Sequence, residues 1–333
     1  MLFAILVCGF TAMTMASCGS DDDDDPVKPN PQETSGDNDQ KPSQDDSSAN
    51  EDMLKTPLTL EAIEAGTITF ANRAAGPVTY RVNGGEAQTI ESTKKGEITV
   101  VKGDKVAFFG DNAVYALDIS RASHIACSAE CYVYGNIMSL VSSSDFATAN
   151  KLEGGRNFFC LFTKEGLREN YIKNHPSYQL MLPATTLAER CYEFMFSSCT
   201  GLTEAPELPA TTLAERCYRN MFAGCTGLTK APELPATTLA ENCYDEMFKG
   251  CTGLTKAPEL PATTLELNCY CNMFWNCTNL NSVTCLATDI SAYGATEGWL
   301  GAVSHTGTFT KAKGVEWQTG ASGIPEGWTV VER

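Results

Sequence analysis

The sequence predicts a two-part fold: an α/β solenoid, with a short strand and a short helix in each 26-residue unit, preceded by a small all-β sandwich-like domain. Three observations predict it. Four segments beginning Leu-Pro-Ala-Thr-Thr, at Leu182, Leu208, Leu234 and Leu260, stand in register at a period of 26. A fixed period of that size marks units that bury their apolar faces only against one another. The copies at Leu208 and Leu234 differ at four positions, Arg216/Asn242, Arg219/Asp245, Asn220/Glu246 and Ala223/Lys249. Those offsets of 0, 3, 4 and 7 fall on one face of an α-helix, which reads as its wet side. Upstream, five short β-branched or aromatic runs alternate with turn residues.

Taken in order, residues 1–17 predict a signal peptide, with an apolar run too short for an ordinary membrane span. The segment Met15-Ala16-Ser17-Cys18 resembles the lipobox of bacterial lipoproteins. That resemblance implies cleavage before Cys18 and lipidation of its sulfur, with several acyl chains for stable anchoring. The run Asp21 to Asp25 resembles the export signal of lipoproteins sent to the outer face of the outer membrane. Localisation as an outer-membrane lipoprotein facing the extracellular side follows as an expectation. Residues 18–54 read as a disordered acidic stalk, because their Pro, Ser, Asn, Gln and Asp bury too little apolar surface to fold. Twelve acidic side chains against Lys28 and Lys41 give residues 18–53 a net charge of −10, out of −17 for the chain. The remainder has no basic footprint, which excludes nucleic acid as a partner.

Residues 55–145 read as a β-rich domain. Candidate strands are Thr67–Phe70, Val78–Val82, Ala87–Ile90, Glu97–Val101 and Lys105–Phe109, with turns at Asn83-Gly84-Gly85 and Lys102-Gly103-Asp104. Asn-Gly between such runs is a strong hairpin signal. Further strands are expected between Asp118 and Val141.

Residues 146–312 read as the solenoid and 313–333 as its cap. Leu213, Cys217 and Met221 mark the buried side of each expected helix, with Tyr218 and Phe222 beside them. Thr212 and Glu215 have the form of a capping box at its start. Leu202, Ala205 and Leu208 supply a strand-like rung, bounded by Pro206 and Pro209, which lack an N–H. Residues 287–312 read as a degenerate fifth unit, since 26 added to Val283 reaches Phe309. Phe158-Phe159 and Leu161-Phe162 read as an irregular opening turn.

The pattern of Cys-x-x-Leu, an apolar rung, Leu-Pro, then a turn ending in an aromatic pair and Cys is similar to the BspA-like leucine-rich repeats of bacterial surface proteins. The resemblance covers roughly residues 180–312. It implies an α/β leucine-rich-repeat solenoid, surface display, and binding of host proteins, glycans or other cells, with no catalytic residues. The extra residue and second proline in Ala205-Pro206-Glu207-Leu208-Pro209 depart from the family rung and suggest a bulge.

Two phases of cysteine, at 191, 217, 243, 269 and at 199, 225, 251, 277, read as buried thiols packed in layers. Disulfides between rungs stay open as an alternative, with Cys127/Cys131 as a local pair. His124, His175 and His305 are scattered, so no metal site, cofactor or nucleophile–base pair is read. The candidate binding face is the outward phase Glu204, Lys230 and Lys256, with Glu207, Glu233 and Glu259 nearby. The function expected is a lipid-anchored cell-surface binding or adhesion protein, not an enzyme, with a protein or glycan partner and membrane contact only through the anchor. A passive or antigenically variable surface protein is the alternative. A glycan-degrading enzyme with its site in 56–145 is a third reading.

Overall fold

A computed structural model describes residues 51–163 and 170–333. The signal peptide, Cys18, the acidic run and the stalk up to residue 50 lie outside the described residues. Residues 51–55 close as a helical turn whose Met53 is buried.

Ten strands follow in the first part: β1 (Thr59–Ala62), β2 (Gly66–Ala71), β3 (Val78–Val82), β4 (Gln88–Ile90), β5 (Lys95–Val100), β6 (Lys105–Gly110), β7 (His124–Cys127), β8 (Cys131–Asn136), β9 (Ile172–Asn174) and β10 (Leu180–Met181). One sheet runs β10-β8-β1-β6-β3-β4, with β9 also on β8; the other runs β5-β2-β7. Alternation of apolar and polar residues makes this arrangement possible: in β6, Val106 and Phe108 are buried while Lys105 is exposed. Phe70 from β2 meets Phe108 from β6 at 5.3 Å between ring centres, joining the two sheets face to face. At the β3–β4 connection Asn83 and Gly84 both take positive φ, 53° and 70°. Asn tolerates that conformation and Gly adopts it without a Cβ penalty.

Residues 156–163 and the repeats from Leu182 onward form a stack of coils. The structure is mostly β-sheet with almost no helix, and this overturns the expected α/β leucine-rich-repeat solenoid. Among the described residues, no coil contains an α-helix. Where the helix was expected, every fourth residue has positive φ: Arg190, Phe194 and Ser198, then Arg216, Asn220 and Gly224, then Asn242, Glu246 and Gly250, then Asn268, Asn272 and Asn276. A left-handed residue every fourth position is incompatible with α-helix. The backbone bonds alternate accordingly. Cys217, Arg219, Met221 and Ala223 donate three residues back within their coil. Arg216, Tyr218, Asn220, Phe222 and Gly224 donate instead to the next coil, at 2.7–3.1 Å. An α-helix satisfies its interior N–H groups four residues back and has none to spare for a neighbour. The spacing of 4 thus reflects a turn repeat, and Thr212 and Glu215 have no helix to cap.

The side chains explain why the coils stay in register. Phe162, Phe196, Phe222, Phe248 and Phe274 form one column of stacked rings at 5.2–5.7 Å, within 6° of parallel. Tyr192, Tyr218, Tyr244 and Tyr270 form a second, closed by Trp299. Burying each ring contributes roughly 1.5–3 kcal/mol, enough to offset a left-handed residue costing about 1–2. The thiols of Cys225, Cys251 and Cys277 donate to the carbonyls of Phe196, Phe222 and Phe248 at 3.0–3.1 Å, tying each coil to the one before. The opening turn at 156–163 is a full member of the stack: Phe158 lies on Tyr192 and its N–H reaches Cys191.

The face expected to be wet is partly closed. Glu193, Asn220, Asn242 and Asp245 are buried. Arg219 bridges Glu193 at 3.0 Å and Asp245 at 2.7 Å, a charge ladder across three coils.

The opposite wall carries the rungs. Only the last ones pair as strands, in a parallel sheet of β11 (Lys256–Leu260), β12 (Ser282–Cys285), β13 (Thr308–Lys311) and β14 (Thr329–Glu332). Val283 pairs with Phe309, and β14 covers β13. Register breaks between Lys256 and Glu259, where Pro258 has no N–H to donate. Earlier rungs make isolated bridges, such as Glu204 with Lys230. One hydrophobic core runs through sheets and coils from Leu58 to Trp328, beside a small separate cluster of Ala116, Ala122, Phe159 and Cys160.

Candidate binding groove along the rungs

The rung sequence Ala-Pro-Glu-Leu-Pro buries its leucine and turns its glutamate outward. Leu208, Leu234 and Leu260 are buried, while Glu207, Glu233 and Glu259 are exposed. Two prolines per rung leave few N–H groups, so neighbouring rungs pair sparsely and clefts open between them. One groove of about 740 Å³ is lined by Glu204, Glu207, Lys230 and Glu233. A second, of about 620 Å³, continues it past Lys230 and Glu233 to Lys256 and Glu259. The structure therefore brings all six sequence-selected residues onto one exposed surface.

Their charges are unevenly matched. Lys230 Nζ lies 3.4 Å from Glu204 Oε2, and Arg333 Nη1 lies 2.7 Å from Glu259 Oε2. Both pairs are exposed and worth at most about 1 kcal/mol. Among the described residues, Glu207, Glu233 and Lys256 have no ion pair.

Sequence reasoning missed the end wall of this groove. The turn Asn174-His175-Pro176-Ser177-Tyr178 follows β9 and packs on β8. His175 Nδ1 accepts from the N–H groups of Ser177 and Tyr178, each at 3.0 Å. Its proton therefore sits on Nε2, which faces Glu61 at 3.8 Å. Tyr178 stacks on His175 at 4.4 Å and 22°, and Tyr132 and Tyr134 pack against the same imidazole at 5.0 Å. Asn174 fastens the turn to the first rung: Oδ1 accepts from Thr203 N at 2.8 Å and Glu204 N at 3.1 Å, and Nδ2 donates to Glu204 O at 2.9 Å. Partners some forty residues apart gave no sequence signal. The Asn-His-Pro-Ser-Tyr turn was the only local hint.

Burial sets the electrostatics of this cluster. Burial lowers the His175 pKa, with the Glu61 carboxylate opposing and Lys105 reinforcing the shift. Burial, then Glu61, raises the Tyr134 hydroxyl above the usual phenol range, and that hydroxyl donates to Glu61 at 3.3 Å. With both Nδ1 lone-pair access and Nε2 engaged, His175 is poorly placed as a general base.

The repeat cysteines lie in the core as thiols, and among the described residues no disulfide joins them. Burial pushes Cys191, Cys225, Cys269, Cys277 and Cys285 up to about 12, so the thiolate nucleophile is scarce at neutral pH. Cys127 and Cys131 hydrogen-bond to each other, which raises the former and lowers the latter. Among the described residues, no group of three His, Cys, Asp or Glu side chains is gathered for a metal ion, and no helix is long and apolar enough to cross a membrane.

No family model, curated protein or solved structure matches this chain.

Proposed function

We propose that the protein is a lipid-anchored cell-surface binding or adhesion protein that holds a protein or glycan partner in its rung-face groove. One observation carries the reading. Six charged side chains picked out by a 26-residue phase emerge side by side along an open groove with an aromatic end wall. A pocket of a few hundred cubic ångströms with apolar flats and a few convergent polar groups is the usual form of a ligand site. The lipobox-like Met15 to Cys18 and the acidic run behind it support anchoring through Cys18 and exposure at the outer membrane. The similarity to BspA-like surface repeats supports display and binding, although it does not extend to a helix in each unit.

The full chain immobilised on a sensor and tested against glycans and purified matrix proteins decides the matter. Saturable binding weakened by Glu207→Lys with Glu233→Lys is the expected result; no binding anywhere refutes it. Cys18→Ala should release the protein from the membrane fraction and from the cell surface. One observation favours a passive coat: the rungs at 206–209, 232–235 and 258–261 are identical, whereas a tailored face varies. Repeat-number variants that keep attachment unchanged favour that second reading.

A further inference from the structure

Saccharides present two kinds of surface at once, apolar C–H faces and hydroxyl edges. A protein holds them with a flat, electron-rich ring beneath and planar polar groups beside. The groove end at Tyr178 has this composition. Tyr178 is 41% exposed and lines the groove, so part of its ring is accessible there. Its other surroundings are fixed, because His175 lies parallel beneath it and Tyr134 flanks it at 5.1 Å. That support removes the ordering cost a loose surface tyrosine pays on binding. Gln179, Glu204 and Glu207 line the same groove and supply amide and carboxylate edges.

Two further observations narrow the occupant. Extended peptides commonly dock by adding a strand to a sheet edge, which requires free N–H groups. Pro206, Pro209, Pro232 and Pro235 remove those donors from the rungs lining this groove. Anionic glycans meet three carboxylates, Glu204, Glu207 and Glu233, against Lys230, which is already turned to Glu204. Like-charge contact of that kind rejects a ligand. The bridge between Glu204 and Lys230 sets adjacent rungs about 4.8 Å apart. Glu207 and Glu233 then offer one acceptor per step to a ligand lying across the rungs.

Resting on the reading of the rung face as a binding groove, we propose that Tyr178 and the first two rungs form a subsite for a neutral oligosaccharide, one sugar ring lying on Tyr178 and its hydroxyls on Gln179, Glu204 and Glu207.

Calorimetric titration of the full chain with neutral β-glucan, mannan, xylan and chitin oligosaccharides tests this, with polygalacturonate as the acidic counterpart. At least one neutral oligosaccharide should saturate and the acidic one should not. Tyr178→Ala should weaken binding about tenfold or more, and Tyr178→Phe, which keeps the ring, should stay within about threefold. An unchanged melting temperature in both variants excludes unfolding as the cause. Neutral saccharides that bind equally well to Tyr178→Ala, or do not bind the wild-type chain, overturn the subsite. If a purified matrix protein still binds and Glu207→Lys with Glu233→Lys abolishes it, the groove reading survives that failure. If neither class binds, both readings fall.

Discussion

Gly250→Ala separates a turn-built coil from a helical one by sign. Gly250 has φ of +73°, and a Cβ built there meets nothing nearer than the Gly224 backbone at 3.8 Å, an ordinary contact. Steric overlap therefore contributes little, and the effect is conformational. Holding an L-residue in the left-handed region costs roughly 1–2 kcal/mol. Restricting the unfolded chain returns roughly 0.4–1 kcal/mol. The expected outcome is a net loss of about 0.5–1 kcal/mol. In a helix interior the same change would gain about 1 kcal/mol, so the two architectures differ by nearly 2. Urea denaturation of the full chain, followed by far-ultraviolet circular dichroism with the slope held common, resolves that gap. Glu246→Gly is the companion test, because its φ of 56° should make glycine tolerable where a helix would penalise it. Gly250→Ala that raises stability would refute the coil geometry.

Phe222→Ala removes a fully buried ring stacked between Phe196 at 5.4 Å and Phe248 at 5.7 Å, and should cost about 3–5 kcal/mol in the same assay; a loss under 1 would mean the column contributes little. Burial, against the pull of Arg219, holds Glu193 above its ordinary value of 4.5. The native state therefore binds the extra proton, and wild-type stability relative to Glu193→Gln should rise as pH falls through the raised value to about 4.5, levelling below it. A pH-independent difference would refute this. Half-buried Cys271, raised to about 11 chiefly by burial, should be the first described thiol to react with Ellman's reagent, the core thiols reacting only on unfolding; prompt release of the 191, 217 and 243 thiols from native protein would contradict their burial.

Five of the ten strands of the first part were legible with their bounds, because each is a short β-branched or aromatic run bounded by turn residues. Val78–Val82 stands as written in the sequence and the other four shift by one or two residues, whereas β1, β9 and β10 were not anticipated. The aromatic end wall was not legible, since Tyr132, Tyr134, His175 and Tyr178 converge only once β9 pairs with β8. Glu193, Arg219 and Asp245 likewise looked like a solvated face until stacking brought them into contact.

By itself the sequence determined the repeat: its period, its phase, which side chains face inward, and which six charges face out. Repetition alone carries that information, because identical units in register place like residues in columns. Tertiary structure decided the backbone inside each unit. Offsets of 3 and 4 suit an α-helix and a turn with every fourth residue left-handed equally well. The choice falls to the second because alternate N–H groups then reach the neighbouring coil, a bond that no isolated unit can make.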